Sequence, residues 1–200
     1  MCRSPTSDRQ HARTIGATVR HRPNLVRAHV RSSVTSPANT PDASNLQAVM
    51  VAWLGSFVVI SATWAIFASE HLVYAFASLG GSAVIVFGMP DSVMAQPRSL
   101  FGGHAIGAVS GLAFLWLFGQ GPWAIAAAVA TALAAMQITR TIHSPAGADP
   151  IIVMSGAISL PEVVLDLAAG LILLWLTGII LLNAFRVRPY GRNLPVIGPI

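Results

Sequence analysis

The feature that most constrains this chain is a long region almost without charge. Between Leu46 and Ala184 the sequence holds only seven charged side chains, Glu70, Asp91, Arg98, Arg140, Asp149, Glu162 and Asp166. Charged residues make up 10% of the whole chain, against about 25% in an average soluble domain. Because such a region has too little polar surface to face water, we expect lipid to surround it. The predicted fold is an all-α, polytopic transmembrane helix bundle that forms one domain over residues 45–186.

The positive charge of the chain is concentrated outside that region. Seven of the twelve arginines lie within the first 31 residues. Residues 1–44 show no sustained apolar period, so we predict a disordered basic tail. Scattered arginines without interleaved aromatic residues argue against nucleic-acid binding, and the favoured interpretation is a topology determinant that contacts anionic lipid. The same composition is typical of an organelle transit peptide or of a misassigned start.

Six apolar segments follow the tail. The blocks Leu46–Phe67, 100–119, 123–141 and 163–184 are long enough, at about 1.5 Å per residue, to cross most of a hydrocarbon core about 30 Å thick. Two shorter segments, 72–89 and 144–156, carry glycine or proline and are predicted as interrupted helices. Ser159, Pro161 and Glu162 form a pattern typical of a capping box at the start of the last span.

The distribution of arginines favours six crossings over five. With the basic tail inside and five crossings, Arg186, Arg188 and Arg192 would lie outside, against the positive-inside rule. If residues 144–156 also cross, residues 187–200 form a short cytoplasmic tail, and Arg186 lies on the cytoplasmic side just before it. Glu70 then lies outside. Six crossings divide into two groups of three, which suggests an inverted 3+3 repeat with the solute held where interrupted helices meet.

Two motifs stand in order within this region: GGSAVIVFGMPDSVMAQPRSLFGGHAIGA at 80–108 and RTIHSPAGADPIIV at 140–153. Together they resemble the HPP family of integral membrane proteins, and the resemblance covers residues from about 46 to 186. It implies a multi-span protein, usually described with four helices, so the number of crossings stays open between four and six. Some members are associated with nitrite transport. Ser144 stands where the family signature has its first proline.

Six neighbouring residues form the first candidate binding site for a small anion, which needs cations and N–H donors inside a low-dielectric path. If the preceding helix continued past residue 140, Arg140 and His143 would lie on one face of it. The following turn offers a hydroxyl, backbone N–H groups near a helix start and a carboxylate that accepts protons or orients the histidine. A purely structural turn is an equal alternative. The six are Arg140, His143, Ser144, Gly147, Ala148 and Asp149.

His104 is the second candidate. It flanks a stripe formed by Gly103, Gly107 and Gly111, whose spacing of four residues is typical of close helix packing. We therefore expect His104 to point into the bundle, where it serves either as an interhelical hydrogen-bond partner or as a proton relay.

Arg98 and Asp166 complete the candidate set. Arg98 follows Pro97, which suits the first turn of a helix, and is either an interfacial anchor or a group that attracts solute at the inner mouth. Asp166 lies two turns into the last span, and an ionisable group at that depth is a functional candidate.

These features predict a transporter of a small solute, for which the family resemblance implies a nitrite-like anion. The alternative is a non-transporting membrane scaffold or assembly protein in which the motifs only fix helix packing. No hydrolase, zinc-protease or nucleotide-binding motif occurs, so we expect no enzyme. Cys2 is the single cysteine and the histidines are widely spaced, so we expect no metal site and no cofactor. The expected partners are the lipid bilayer and a small anion or proton, in a bacterial plasma membrane or an organelle inner membrane. The oligomeric state stays open.

Overall fold

The structure, a computed structural model, describes residues 45–67, 73–156 and 160–191. Over these residues the chain forms helices and turns and no strand. The helices are α1 (Leu46–Phe67), α2 (Val73–Gly88), α3 (Pro97–Phe118), α4 (Pro122–Thr139), α5 (Asp149–Met154) and α6 (Leu160–Ala184), with 3-10 turns at Val93–Ala95 and Ser144–Ala148. The predicted tail (1–44), Glu70, Ser159, Arg192 and the side chains of Pro161 and Glu162 lie outside the described residues.

Within the described residues, four helices are long and apolar enough to span a membrane: α1, α3, α4 and α6. This confirms the predicted all-α bundle with four full spans. Proline in the first turn of α3 and of α4 begins each helix, where its missing N–H costs no intrahelical hydrogen bond. Large apolar side chains on the outer faces, such as Trp53, Trp116 and Ile138, are more than half exposed, as expected of a surface solvated by lipid.

The glycine pair at residues 80 and 81 does not interrupt α2, contrary to the expectation of a broken segment. The helix runs unbroken over Val73–Gly88. A glycine inside a helix costs about 1 kcal/mol relative to alanine, and packing of α2 between its neighbours offsets that cost. A Cβ on Gly81 would lie 3.2 Å from the Pro145 ring, so the glycine also lets a neighbouring segment approach.

Residues 141–156, called here the crossing segment, form the second predicted interrupted region. The segment begins with three residues outside any helix, continues through the 3-10 turn Ser144–Ala148 and the six-residue α5, and ends at Gly156 with φ +67°. At about 3.3 Å per extended residue, 2.0 Å per 3-10 residue and 1.5 Å per α residue, it reaches roughly 30 Å. It is therefore long enough to cross a bilayer although it contains no long helix.

The crossing segment lies alongside α3 from Gly102 to the end of that helix. Successive residues of the segment contact successive residues of α3, so the crossing segment and α3 run parallel from one end of the bundle to the other. This path supports the sixth crossing. The pairs, taken from the position that a Cβ would occupy on each glycine, are Gly102 with Thr141, Gly103 with His143, Gly107 with Asp149, Gly111 with Pro150, and Gly156 with Gln120.

Every described arginine lies at one end of the bundle, called here the arginine end. The start of α1 reaches this end too, because Gln47 donates to the Phe185 carbonyl at 2.8 Å. Contacts among the start of α3, the end of α4 and the chain after α6 define it: Arg98 Nη2 donates to the Thr139 carbonyl at 2.9 Å, and Arg188 Nη1 lies 3.3 Å from Asp91 Oδ2. The arginines are Arg98, Arg140, Arg186 and Arg188. This arrangement agrees with the six-crossing topology, whereas the inverted repeat stays a prediction.

The chain after α6 folds back onto the arginine end through Tyr190. Its phenol is 1% exposed and donates to the Ala95 carbonyl at 2.7 Å. Burial raises the pKa of the Tyr190 hydroxyl, so this group stays protonated and keeps its role as donor. The contact fixes the Val93–Ala95 turn, whose Met94 carbonyl points into the bundle.

Candidate functional site

Five described polar side chains meet where α2, α3 and the crossing segment touch. Each is at most 1% exposed. In lipid, polar groups at this depth have to be satisfied by one another. We call this group the polar cluster; its members are Ser78, Ser82, His104, His143 and Asp149.

Local sequence explains how these side chains come together. Ser78 and Ser82 lie one helical turn apart on the same face of α2. On α3, a Cβ at Gly103 would lie 2.7 Å from the His143 Cβ, and one at Gly107 would lie 2.5 Å from the Ala146 carbonyl oxygen. Only glycine lets the backbone of the crossing segment approach α3 this closely. The predicted glycine stripe is therefore the surface that receives the crossing segment.

Asp149 anchors one end of the polar cluster. Its Oδ2 lies 2.7 Å from His104 Nδ1, and its Oδ1 accepts a hydrogen bond from Ser78 Oγ at 2.8 Å. Ser78 Oγ also lies 3.1 Å from the Pro145 carbonyl. Both carboxylate oxygens thus have partners, which a buried carboxylate requires. His104 points into the bundle, as its position beside the glycine stripe predicts.

Ser82 joins the two histidines. Its Oγ lies 3.0 Å from His104 Nε2 and 2.9 Å from His143 Nε2, and 2.9 Å from the Ser78 carbonyl. On its other side, His143 Nδ1 lies 2.7 Å from the Met94 carbonyl. A continuous chain of hydrogen bonds therefore runs from Asp149 through His104, Ser82 and His143 to Met94.

The other predicted members of the first site lie apart from the polar cluster. Helix α4 ends at Thr139, and Arg140 takes a left-handed conformation with φ +56°, so it does not share a helix face with His143. Thr141 N–H bonds back to the Met136 carbonyl at 2.9 Å, a pattern that closes a helix C-terminus. Arg140 and Ser144 are exposed.

Gly147 and Ala148 lie half-buried in the 3-10 turn. They position Asp149, the next residue, at the first turn of α5. Their backbone groups therefore belong to the turn that carries the carboxylate into the cluster.

Arg98 and Asp166 lie in different parts of the bundle. The exposed Arg98 side chain donates to the Thr139 carbonyl, which caps the C-terminus of α4 and fits the interfacial anchor. Asp166 is 9% exposed on α6, one turn before Gly170, where an added Cβ would lie 3.0 Å from the Leu79 side chain of α2.

Ser78 and Ser82 are the members of the polar cluster that sequence analysis missed. Two serines four residues apart inside an otherwise apolar helix are the signal that would have found them, because they place two hydroxyls on one buried face. Among residues 45–67, 73–156 and 160–191, no three His, Cys, Asp or Glu side chains converge as metal ligands would.

A cavity of about 250 Å³ lies between α3 and α6 and reaches His104. Its other lining residues are apolar, among them Phe101, Ala108, Leu167 and Leu171. The cavity therefore brings open space to His104, at the edge of the polar cluster.

Comparison with known proteins yields one family and two relatives. The model of the family described as HPP, transmembrane region, matches residues 41–191. Two transmembrane proteins of Dictyostelium discoideum are each 30% identical, one over 163 residues (76% of this chain) and one over 168 residues (78%). The chain spans 52% and 59% of the length of these relatives. No solved structure matches.

Proposed function

The chain belongs to the HPP transmembrane family and is a multi-pass integral membrane protein, and from this premise we propose that it transports a small solute. The candidate substrate is a nitrite-like anion, because some family members are associated with nitrite transport. The arginine end faces the cytoplasm, as the positive-inside rule requires.

The observation that carries the proposal is the buried polar cluster. Ionisable residues inside a membrane protein are costly, and they mark solute or proton pathways more often than packing sites. Here two imidazoles and a carboxylate lie within one connected set of hydrogen bonds. Glycines, serines and a broken segment of backbone are all needed to hold them there, which is more than helix packing alone requires.

Charge and space support the passage of an anion. The arginines at one end raise the local concentration of anions at the mouth. The cavity beside His104 leads toward imidazole groups that act as cationic or neutral donors. An anion has to move next to the Asp149 carboxylate, so a proton on the cluster favours its entry. This makes joint movement of the anion and a proton the favoured mechanism.

A scaffold without transport is the second candidate. It is favoured by the fact that the polar atoms of the cluster bond to one another and to nearby carbonyls. Such a network also fixes the position of the crossing segment.

Flux into proteoliposomes separates the two functions. We expect purified full-length protein to move nitrite, and His143→Ala to lower the flux by about tenfold or more, since a hydrogen bond to a charged group is worth about 1.5–3 kcal/mol. His143→Asn keeps a donor for the Met94 carbonyl and removes the imidazole. It should therefore fold while losing flux.

Ser110→Ala is the matched control. Ser110 is a buried serine of α3 that donates to the Ala128 carbonyl at 2.7 Å, away from the polar cluster. Its loss should leave flux close to that of the unchanged protein. Absence of nitrite, nitrate and proton flux, together with a His143→Ala variant that changes only the thermal midpoint, would establish the scaffold.

A further inference from the structure

The polar cluster contains one hydroxyl surrounded by acceptors, and this fixes how many protons it holds. The Met94 carbonyl only accepts, so His143 Nδ1 carries a hydrogen. The Ser78 carbonyl lies 2.9 Å from Ser82 Oγ, but within the unbroken helix α2 it already accepts the Ser82 backbone N–H. If both histidines are neutral and donate through Nδ1, both Nε2 atoms present lone pairs to Ser82 Oγ. One hydroxyl proton then faces two imidazole acceptors, and one of them goes unsatisfied.

One additional proton satisfies both imidazole Nε2 atoms. With a hydrogen on His104 Nε2, this atom donates to Ser82 Oγ, and the Ser82 hydroxyl donates to His143 Nε2. With a hydrogen on His143 Nε2 instead, the direction reverses and Ser82 donates to His104. In both arrangements the added positive charge balances the Asp149 carboxylate. A buried polar group without a partner is costly, so this occupancy is favoured over the proton-free cluster.

A second additional proton is disfavoured. Both imidazoles would then be cationic, with ring centroids 5.0 Å apart, and one carboxylate would face two positive charges in a low-dielectric interior. The described charged groups on the neighbouring elements are Asp166 on α6 and the exposed Asp91, Arg98 and Arg140. The three exposed groups lie at the arginine end, outside the cluster.

We infer that the polar cluster is a proton-binding site of unit capacity, in which Ser82 passes the proton between His104 and His143. In the transfer, the Nε2–H bond of His104 breaks as its proton joins Ser82 Oγ. The original hydroxyl proton of Ser82 leaves to form an Nε2–H bond on His143. The Ser82 hydroxyl then donates to His104 Nε2 and His143 Nε2–H donates to Ser82 Oγ, which is the reversed arrangement, and the number of protons is unchanged.

The transfer moves the positive charge between two imidazoles whose ring centroids lie 5.0 Å apart. It passes from the imidazole that contacts the Asp149 carboxylate to the one that contacts the Met94 carbonyl. The use of this relay in transport rests on the function proposed above, whereas the site itself rests on the contacts of the cluster.

The test counts hydrogens on the two Nε2 atoms by nitrogen-15 NMR of histidine-labelled, full-length protein in lipid bilayers. His104→Asn and His143→Asn assign the signals. We expect a total of one hydrogen across the two Nε2 atoms near neutral pH, with exchange between them. A total of zero or of two would overturn the inference.

Ser82→Ala tests the relay, and Ser110→Ala is its matched control. Both remove a buried serine hydroxyl, but Ser82 lies between the imidazoles whereas Ser110 donates to the Ala128 carbonyl. We expect Ser82→Ala to abolish the exchange between the two Nε2 signals and Ser110→Ala to keep it. Exchange that persists without the Ser82 hydroxyl would overturn the relay.

The Nε2 hydrogen count and the nitrite flux are separate measurements, so the proton site and the proposed transport can fail independently. Absence of nitrite flux would count against transport and leave the proton count in place. A count of zero or two in a protein that moves nitrite would overturn the proton site and leave transport in place.

Discussion

Helix α2 and the crossing segment lie face to face, carry similar proportions of small residues, and take different backbone conformations. Helix α2 is unbroken across two adjacent glycines, whereas residues 141–156 change from extended chain to 3-10 turn to α5. The regular helix contributes hydroxyls to the polar cluster. The irregular segment contributes the imidazole of His143 and the carboxylate of Asp149.

The difference follows from proline and from the neighbours of each segment. Pro145 and Pro150 lack an N–H and so interrupt an α-helical ladder, while glycine only weakens one. The break opens backbone where α3 presents glycines, so the charged side chains are held in a pocket lined by small residues. Irregular backbone at membrane depth is tolerated where protein surrounds it.

Removing the carboxylate from the crossing segment should have the largest effect. Asp149→Ala leaves His104 and Ser78 without their buried partner, and loss of one member of a buried pair costs about 3–5 kcal/mol of unfolding free energy. Thermal or denaturant unfolding in detergent measures it. Asp91→Ala, which removes the exposed partner of Arg188, should cost about 0–1 kcal/mol. Equal losses from the two changes would contradict a special role for the buried pair.

Replacing glycine by alanine should change the unfolding free energy in opposite directions at Gly107 and at Gly80. At Gly107 the new Cβ would lie 2.5 Å from the Ala146 carbonyl oxygen, and this overpacking should destabilise the protein by about 1–3 kcal/mol. At Gly80 a Cβ meets nothing within 4 Å, and alanine should stabilise α2 by about 0.5–1 kcal/mol. Unfolding midpoints of Gly107→Ala and Gly80→Ala, measured side by side, check both. A stable Gly107→Ala protein would mean that the crossing segment does not rest on α3.

Restoring the signature proline should have the smallest effect. Ser144 begins a 3-10 turn, and His143 before it has φ −138° and ψ 104°, an extended conformation compatible with a following proline. Ser144→Pro should therefore raise the unfolding free energy by about 0.4–1 kcal/mol by restricting the unfolded chain. Ser144→Ala, which removes the hydroxyl without fixing φ, should change it by less than about 0.5 kcal/mol. A loss of stability in the proline variant would show that the turn depends on the N–H of Ser144.

Much of the bundle was predictable because lipid imposes a simple rule on composition. Charge-poor blocks gave the four full spans, and the arginines gave the common end on which Arg98 and Arg188 meet the rest of the bundle. The spacing of Gly103, Gly107 and Gly111 predicted a close contact and an inward His104. These features depend on local pattern alone.

The details of the site depended on contacts distant in sequence. Whether Gly80 and Gly81 break a helix is decided by what packs against α2, and whether α4 continues past Thr139 is decided at its C-cap. Because Arg140 has a left-handed backbone conformation, it does not share a helix face with His143, although the two residues are only three positions apart. Ser78 and Ser82 were missed because a serine in an apolar helix has no evident partner until the fold brings His104 and Asp149 to it.

The backbone of residues 141–156 also bears on how the protein is assembled. A stretch with six α-helical residues leaves many amides without local partners, so it cannot enter hydrocarbon on its own. Helices α3 and α4 are each able to insert independently, and the glycine face of α3 then supplies the surface that the later segment needs. The segment that carries His143 and Asp149 into the bundle therefore gains its place only after α3 has inserted.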